Sequence, residues 1–66
     1  MKLQLIFLDS FDSEFKGQVY NIARFIDPNT LKILSGTNLK GEFTPYKAYQ
    51  CVIEFRNNKL KIVSAS

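Results

Sequence analysis

The sequence predicts an all-β fold, a small barrel of five antiparallel strands. Two β-prone runs near the end of the chain, 46–56 and 59–64, flank Asn57 and Asn58. Asparagine tolerates the positive φ that a two-residue hairpin turn requires. Three further runs with β-type patterns precede this hairpin. Five short strands in 66 residues are too few for a two-sheet sandwich, and closure into a barrel removes exposed strand edges.

The first predicted strand is Lys2–Leu8, in which Leu3, Leu5 and Phe7 share one face. Residues 9–15 follow and are rich in turn-forming aspartate and serine. This segment is therefore predicted to be an acidic loop with room for a single helical turn.

The second predicted strand spans Gly17–Asp27. Its alternation gives it two faces, one with Val19, Ala23 and Phe25 and the other with Tyr20, Ile22, Arg24 and Ile26. Residues 27–30 are a strong turn signal, because aspartate favours the first position of a β-turn and proline presets φ at the second. Leu31–Ser35 is then the third strand. The sequence does not determine the pairing register between the second and third strands, because connecting loops of two to five residues all fit.

Residues 36–45 are a polar connection in which Leu39 and Phe43 are placed to plug one end of a barrel. The closing hairpin follows. Its turn pairs Arg56 with Lys59, Phe55 with Leu60, Glu54 with Lys61, Ile53 with Ile62 and Cys51 with Ser64. One face of the hairpin then carries Cys51, Ile53, Phe55, Leu60 and Ile62, and the other carries Glu54, Arg56, Lys59, Lys61, Val52 and Val63.

The lengths of these elements favour one barrel type. The second strand is long, and so is the connection between the third and fourth strands. Both features favour a five-stranded OB-like barrel over the alternative, an SH3-like barrel. We expect residues 1–66 to form this single small domain.

Composition narrows the classes of function. A chain of this size buries only about 60% of the surface that it exposes when unfolded, so its core is marginal. Cys51 is the only cysteine and histidine is absent, which leaves no intrachain disulfide and no Cys–His zinc site. Self-association as a homodimer is therefore expected. Without histidine or a paired carboxylate site, the sequence offers no catalytic residue, no metal ligand set and no cofactor site, and a non-enzymatic role is predicted.

The apolar start of the chain, Leu3–Leu8, is too short and too alternating for a signal peptide. No other run is long enough to span a bilayer. A lone thiol without an export signal indicates the cytoplasm as the expected location.

Basic and aromatic residues alternate along the predicted strands. The net charge is +3, from nine Lys and Arg against six Asp and Glu. Three of the acids lie in the 9–15 loop, so the rest of the chain carries nine positive and three negative charges, and such a surface attracts polyanions. The sequence therefore predicts binding of single-stranded nucleic acid by cations that contact phosphates and rings that stack on bases. The candidates are Tyr20 and Arg24 on the second strand, Lys32 on the third, Tyr46 and Lys47 at the start of the fourth, and Arg56, Lys59 and Lys61 on the final hairpin.

Four aromatic residues have different expected roles. Tyr49 has the parity of Cys51 and Ile53 on the fourth strand, which assigns Tyr49 and Cys51 to the core. Tyr46 has the opposite parity and is expected to be exposed. Phe11 and Phe15 lie among carboxylates that repel phosphate, so the acidic loop is a candidate for docking a host or replication protein. Such a protein-binding module is the alternative function.

The last third of the chain carries a resemblance to a known family. The residues concerned are Thr44–Tyr49, Val52–Phe55, the turn at Asn57 and Asn58, and Leu60–Val63. Their layout resembles the closing hairpin of small OB-type single-stranded DNA-binding proteins of filamentous phages and of related phage and plasmid replication modules. The resemblance implies a homodimer with DNA grooves lined by Tyr, Phe, Lys and Arg, and it favours DNA over RNA. By this similarity the DNA contacts are Arg24, Lys32, Tyr46 and Lys47.

Overall fold

The computed structural model describes every residue from Met1 to Ser66. It contains five strands: β1 (Lys2–Phe15), β2 (Gln18–Ile26), β3 (Ile33–Thr37), β4 (Ala48–Arg56) and β5 (Lys59–Ala65). The predicted all-β class is confirmed. The structure has no helix that could cross a membrane.

The strands close into one barrel in the order β1-β2-β3-β5-β4. β1 is shared between two neighbours, because its residues 2–6 pair with β4 and its residues from Ile6 onward pair with β2. The barrel closes where β3 runs parallel to β5, with Gly36 opposite Ile62. The other four pairings are antiparallel. This order is that of the predicted OB-like barrel, and one parallel pair is the only departure from the predicted antiparallel arrangement.

The first strand is much longer than predicted. Residues 9–15, expected to be a loop, continue β1 and pair with β2 from Arg24 back to Gln18. A β-bulge at Leu8 separates the two halves of the strand. Residues 9–24 thus form a hairpin, here called the arm, whose outer part, residues 12–21, pairs with no third strand. Aspartate and serine tolerate an exposed ribbon because neither side chain has to be buried there.

Two residues form the turn at the tip of the arm. Lys16 and Gly17 both have positive φ, 53° and 78°. This is the conformation of a two-residue hairpin turn whose twist matches the flanking strands.

The turn between β2 and β3 is confirmed but is longer than predicted. The Leu31 amide donates to the Asp27 carbonyl at 2.7 Å, and the Asp27 side chain accepts from the Asn29 amide at 2.9 Å. Leu31 has a φ of 61°, which an extended strand does not contain. β3 therefore begins at Ile33, opposite Ile26, and Lys32 lies in the turn and not on the third strand.

The core consists of seven buried apolar residues: Leu5, Phe7, Ala23, Phe25, Cys51, Ile53 and Ile62. Leu39 and Phe43 pack against it from the connection before β4, as predicted. Tyr49 also packs there, with its ring centroid 5.0 Å from that of Phe43, and its hydroxyl accepts a 2.7 Å hydrogen bond from the Thr44 amide. The core assignments of Tyr49 and Cys51 are confirmed.

The closing hairpin has the predicted turn, since Asn57 and Asn58 have φ values of 51° and 63°. The four predicted pairs nearest the turn are confirmed: Arg56 with Lys59, Phe55 with Leu60, Glu54 with Lys61 and Ile53 with Ile62. The fifth is wrong, because the register shifts after Ile53 and Cys51 lies opposite Ala65 instead of Ser64. Tyr46 has a φ of 67°, so β4 begins at Ala48 and neither Tyr46 nor Lys47 opens it.

Phe55 and Leu60, which share the predicted core face of the final hairpin with Cys51, Ile53 and Ile62, are exposed. They retain 68% and 43% of their accessible surface. Both belong to the part of the hairpin that projects beyond the barrel, where no third strand covers them. The alternation of apolar and polar residues correctly predicts which side of the sheet a residue lies on. It does not predict how far along the strand that side is covered by the rest of the barrel.

Candidate nucleic-acid interface

The bulge at Leu8 decides which side chains of the arm face outward. Before the bulge, Leu5 and Phe7 point into the core. After the bulge, Ser10 lies opposite the buried Ala23. The even-numbered residues of this half of β1 therefore lie on the same side of the sheet as the core. Phe11 and the alternate residues after it therefore lie on the outside of the sheet. We call this side of β1, β2, β3 and the final hairpin the outer face, and the opposite side the inner face.

Aromatic rings and cations lie together on the outer face of the arm. Phe11 and Phe15 are both exposed, the latter by 63%. The Lys16 ammonium lies 5.3 Å from the centroid of the Phe15 ring, and the Arg24 guanidinium lies 5.9 Å from that of Phe11. Such pairs combine a ring that can stack on a base with a cation that attracts phosphate.

Tyr20 lies between these rings on β2, opposite Ser13. It is half-buried, and its hydroxyl donates a 2.6 Å hydrogen bond to the Gln18 side chain. The arm therefore carries three aromatic rings on one side.

The carboxylates of the arm either lie on the inner face or form an ion pair with an arginine. Asp12 and Glu14 pair with Asn21 and Val19 on the inner face, and the Asp12 carboxylate accepts a 3.2 Å hydrogen bond from the Asn21 side chain. Asp9 is on the outer face but is paired with an arginine. The repulsion of phosphate predicted for this segment thus acts mainly on its inner face.

Asp9 and Arg24 are cross-strand neighbours that form a two-pronged ion pair. The Arg24 Nε and Nη2 atoms donate to the two carboxylate oxygens at 2.7 and 2.5 Å. This hydrogen bonding lowers the pKa of Asp9 and raises the pKa of Arg24. Both side chains stay nearly half exposed, 48% and 42%, so the pair can exchange partners with a ligand at the surface.

The basic residues of the final hairpin divide into paired and unpaired groups. Arg56 forms an ion pair with Glu54, with Nε at 2.8 Å and Nη2 at 2.5 Å from the same carboxylate oxygen. Lys59 and Lys61 are exposed and form no ion pair. The two lysines therefore carry the uncompensated charge on this part of the outer face.

A surface depression of about 340 Å³ adjoins these lysines, lined by Thr37, Arg56, Lys61, Ile62 and Val63. Thr37 belongs to β3, so the depression lies where β3 meets the final hairpin. It combines two cations, a hydroxyl and one accessible apolar side chain, that of Val63, since the Ile62 side chain is buried in the core. These are the groups that contact a phosphate and the sugar next to it.

The arm and the depression are parts of one continuous surface. Phe11 lies opposite Ile22, and Ile22 lies opposite Thr37, across β1, β2 and β3. Adjacent strands are about 4.8 Å apart, so the path from Phe11 to the final hairpin spans about 15 Å. The outer face thus runs without interruption from exposed rings to unpaired lysines.

The other candidate residues lie away from this path. Lys32 is in the turn before β3. Tyr46 and Lys47 precede β4, where the Tyr46 amide donates to the Phe7 carbonyl at 2.7 Å and the Lys47 carbonyl accepts from the Phe7 amide at 3.0 Å. Tyr46 is 80% exposed, as predicted from its parity. The structure thus brings together Tyr20, Arg24, Arg56, Lys59 and Lys61, but not Lys32, Tyr46 or Lys47.

Sequence reasoning missed Lys16 and Thr37 as parts of the surface. Lys16 was missed because residues 9–15 have the composition of a loop. The signal that could have found it is the pair Lys16 and Gly17, which forms a hairpin turn between two segments of alternating residues. Thr37 was missed because the third strand was predicted to end at Ser35.

Cys51 lies outside this surface and is fully buried in the core. Burial raises the pKa of its thiol above the ordinary value. As the pH rises, the unfolded chain loses this proton first, so the thiol's contribution to stability is complete below the ordinary thiol pKa and declines above it.

In urea denaturation, we expect the wild type to lose stability between neutral and alkaline pH faster than Cys51→Ala. Parallel declines would contradict this role of the thiol.

Comparisons with known proteins add no assignment: no family model, no curated protein and no solved structure matches the chain.

Proposed function

We propose that this protein binds single-stranded nucleic acid without catalysis, through the outer face that runs from the arm to the final hairpin. The observation that carries the proposal is the continuity of that face. Exposed rings lie at one end and unpaired lysines at the other, while Asp12 and Glu14 are on the opposite side of the arm. In OB-type barrels, the face of the second and third strands and the loops beside it commonly bind oligonucleotides.

Each group on the outer face has a role that follows from its chemistry. Phe11, Phe15 and Tyr20 stack on bases, which is tolerant of sequence because every base has a π-face. Lys59 and Lys61 contact phosphates, and Lys16 adds a cation at the tip of the arm. Arg24 and Arg56 exchange a carboxylate for a phosphate as the strand binds, which costs them one ion pair and supplies another.

The proposed ligand is single-stranded because exposed rings need bases that are not already stacked within a duplex. Single-stranded DNA is favoured over RNA by the resemblance of the closing hairpin to phage and plasmid proteins. A role as an accessory factor of phage or plasmid replication in the cytoplasm fits this ligand, and the single buried thiol of Cys51 suits a reducing compartment. Lys32, Tyr46 and Lys47 remain candidates for contacts with a longer strand.

The stacking role makes a sharp prediction for Phe15. Phe15→Ser should weaken binding of a short oligothymidylate by about 5- to 150-fold, since one stacked base contributes about 1–3 kcal/mol. Fluorescence anisotropy with a labelled oligonucleotide measures the change.

Val19→Ser is the matched control for Phe15→Ser. Val19 lies on the same arm and is as exposed as Phe15, 65% against 63%, but it faces the other way. Its substitution should leave affinity within a factor of about two, because it contacts no base in this arrangement. Equal losses in the two variants would refute stacking on the outer face.

A protein-binding role of the arm is the second candidate function. β4 pairs only with residues 2–6 of β1, so residues 9–15 present a free strand edge beside Phe11 and Phe15. Such an edge accepts an additional strand from a partner protein. Capture of a host protein that depends on Phe11 and Phe15 but not on Lys59 and Lys61, with no oligonucleotide bound, would favour this role.

A further inference from the structure

The arginine closest to the exposed rings of the arm is already bound by a carboxylate. Asp9 and Phe11 lie two residues apart on the same side of β1, so their Cα atoms are about 7 Å apart. Arg24 contacts both residues. Its guanidinium lies 5.9 Å from the centroid of the Phe11 ring and donates hydrogen bonds to Asp9 at 2.7 and 2.5 Å. A phosphate next to a base stacked on Phe11 therefore encounters Arg24 and Asp9 together.

The ion pair has the geometry that a phosphate uses with arginine. Both a carboxylate and the two free oxygens of a phosphodiester accept a parallel pair of N–H bonds from one guanidinium. Asp9 occupies the Nε and Nη2 edge of Arg24. An incoming phosphate either displaces the carboxylate, which breaks the ion pair, or binds beside it, which brings two anions together. In both cases Asp9 lowers the affinity for the phosphate.

We propose that Asp9 competes with phosphate for Arg24 and thereby limits how tightly the outer face binds nucleic acid. This role, which rests on the proposed function, makes Asp9 a determinant of specificity. Its carboxylate lowers the affinity for every polyanion, whether or not the polyanion carries bases. A ligand therefore binds tightly only if its bases also stack on Phe11, Phe15 and Tyr20.

The other ion pair of the outer face imposes a smaller penalty. Glu54 accepts both hydrogen bonds from Arg56 with a single oxygen, and it lies opposite the unpaired Lys61. A phosphate at the final hairpin can contact Lys61 without breaking this ion pair. Asp9 has Arg24 as its only cross-strand partner, so no second cation offers the same relief there. Asp9 is therefore the stronger competitor.

Asp9→Asn tests the competition, because asparagine keeps the size of the side chain and removes its charge. Asp12→Asn is the matched control: it makes the same change on the same arm, at an exposed residue of the inner face that forms no ion pair. Both are compared by fluorescence anisotropy with a short oligothymidylate in about 0.1 M salt, where charges more than about 10 Å apart are largely screened.

Asp9→Asn should bind the oligothymidylate about 5- to 25-fold more tightly than the wild type. Loss of an exposed ion pair and repulsion between two adjacent anions each change an equilibrium by up to about fivefold. Asp12→Asn should stay within about twofold of the wild type, and Glu54→Gln should gain less than Asp9→Asn.

The salt dependence of binding gives a second readout. In the wild type, the carboxylate released from Arg24 takes up a cation as the phosphate loses one. Asp9→Asn removes this exchange, so the logarithm of its association constant should fall more steeply with the logarithm of salt concentration, by up to about 0.7. The slope of Asp12→Asn should equal that of the wild type.

Two results would overturn the competition, and they are distinguishable. If the wild type binds oligothymidylate but Asp9→Asn gains no more affinity than Asp12→Asn, the role of Asp9 is refuted and the proposed function stands. If neither the wild type nor Asp9→Asn binds at low salt, the proposed function fails, and the competition fails with it.

Discussion

Replacement of Gly36 by valine is expected to destabilise the protein by about 3 kcal/mol, the upper end of the usual cost of overpacking a core. A domain of 66 residues has a total stability of about 3–10 kcal/mol. The substitution should therefore remove between about a third and all of that stability.

The reason lies in the pair that closes the barrel. A Cβ atom on Gly36 would lie 2.7 Å from the carbonyl oxygen of Ile62 and 2.8 Å from a methyl carbon of Leu39. The Leu39 side chain can move, but the Ile62 carbonyl belongs to the backbone of β5. Gly36 and Ile62 form the contact between β3 and β5, so relief of the clash separates the two strands.

Urea denaturation followed by circular dichroism measures the loss, with all variants at one protein concentration. Ser35→Val is the matched control, since Ser35 is the preceding residue of the same strand and is exposed. Valine favours strands, so this control should be as stable as the wild type within about 0.5 kcal/mol. Equal stability of Gly36→Val and Ser35→Val would contradict the close approach of β3 to β5.

The barrel and the hairpin register could be predicted from local sequence rules. Asn57 and Asn58 fix the turn because they adopt positive φ, and the turn fixes each pair as far as Ile53 and Ile62. The register shift beyond them depends on how the strand bends around the barrel. Tertiary geometry of this kind leaves no signal in a single sequence.

The arm could not be predicted for a related reason. Residues 9–15 have the composition of a loop, but pairing with β2 satisfies their backbone groups and overrides that preference. The bulge at Leu8 then reverses which side chains face outward. Phe11 and Phe15 thereby lie on the outer face while Asp12 and Glu14 do not.

The candidate site was predictable in part. Lys59 and Lys61 lie on the charged side of the hairpin, as the alternation indicates. The sequence predicts Arg24 and Arg56 as contacts for phosphate, and it does not indicate that each has a carboxylate partner in the structure. The partner of Arg24 is Asp9, which is distant in sequence and becomes its neighbour only through the pairing of β1 with β2.

The second large effect, on nucleic-acid affinity, is expected when the charges of both unpaired lysines of the hairpin are reversed. Lys59→Glu combined with Lys61→Glu should weaken binding of a single-stranded oligonucleotide by about 100-fold. Two charge-assisted contacts at about 1.5 kcal/mol each are lost. The loss should be similar for different sequences, because phosphate contacts carry no base information.

Lys32→Glu combined with Lys47→Glu, measured with a short oligonucleotide, is the control for net charge. It makes the same change in total charge at two exposed lysines that lie away from the path between the arm and the final hairpin. Lys32 is in the turn before β3, and Lys47 precedes β4. A purely non-specific attraction to the whole molecule would weaken both double variants equally, and the proposed interface predicts a much larger loss for the hairpin pair.

The salt dependence of oligonucleotide affinity tests the nucleic-acid interface most directly. For the wild type, the logarithm of the association constant should fall linearly with the logarithm of salt concentration, by about 0.7 for each phosphate neutralised. The hairpin double variant should have a slope smaller by about 1.4, because two such contacts are removed. Absence of binding by the wild type at low salt, or a slope that is flat or unchanged in the double variant, would contradict the account.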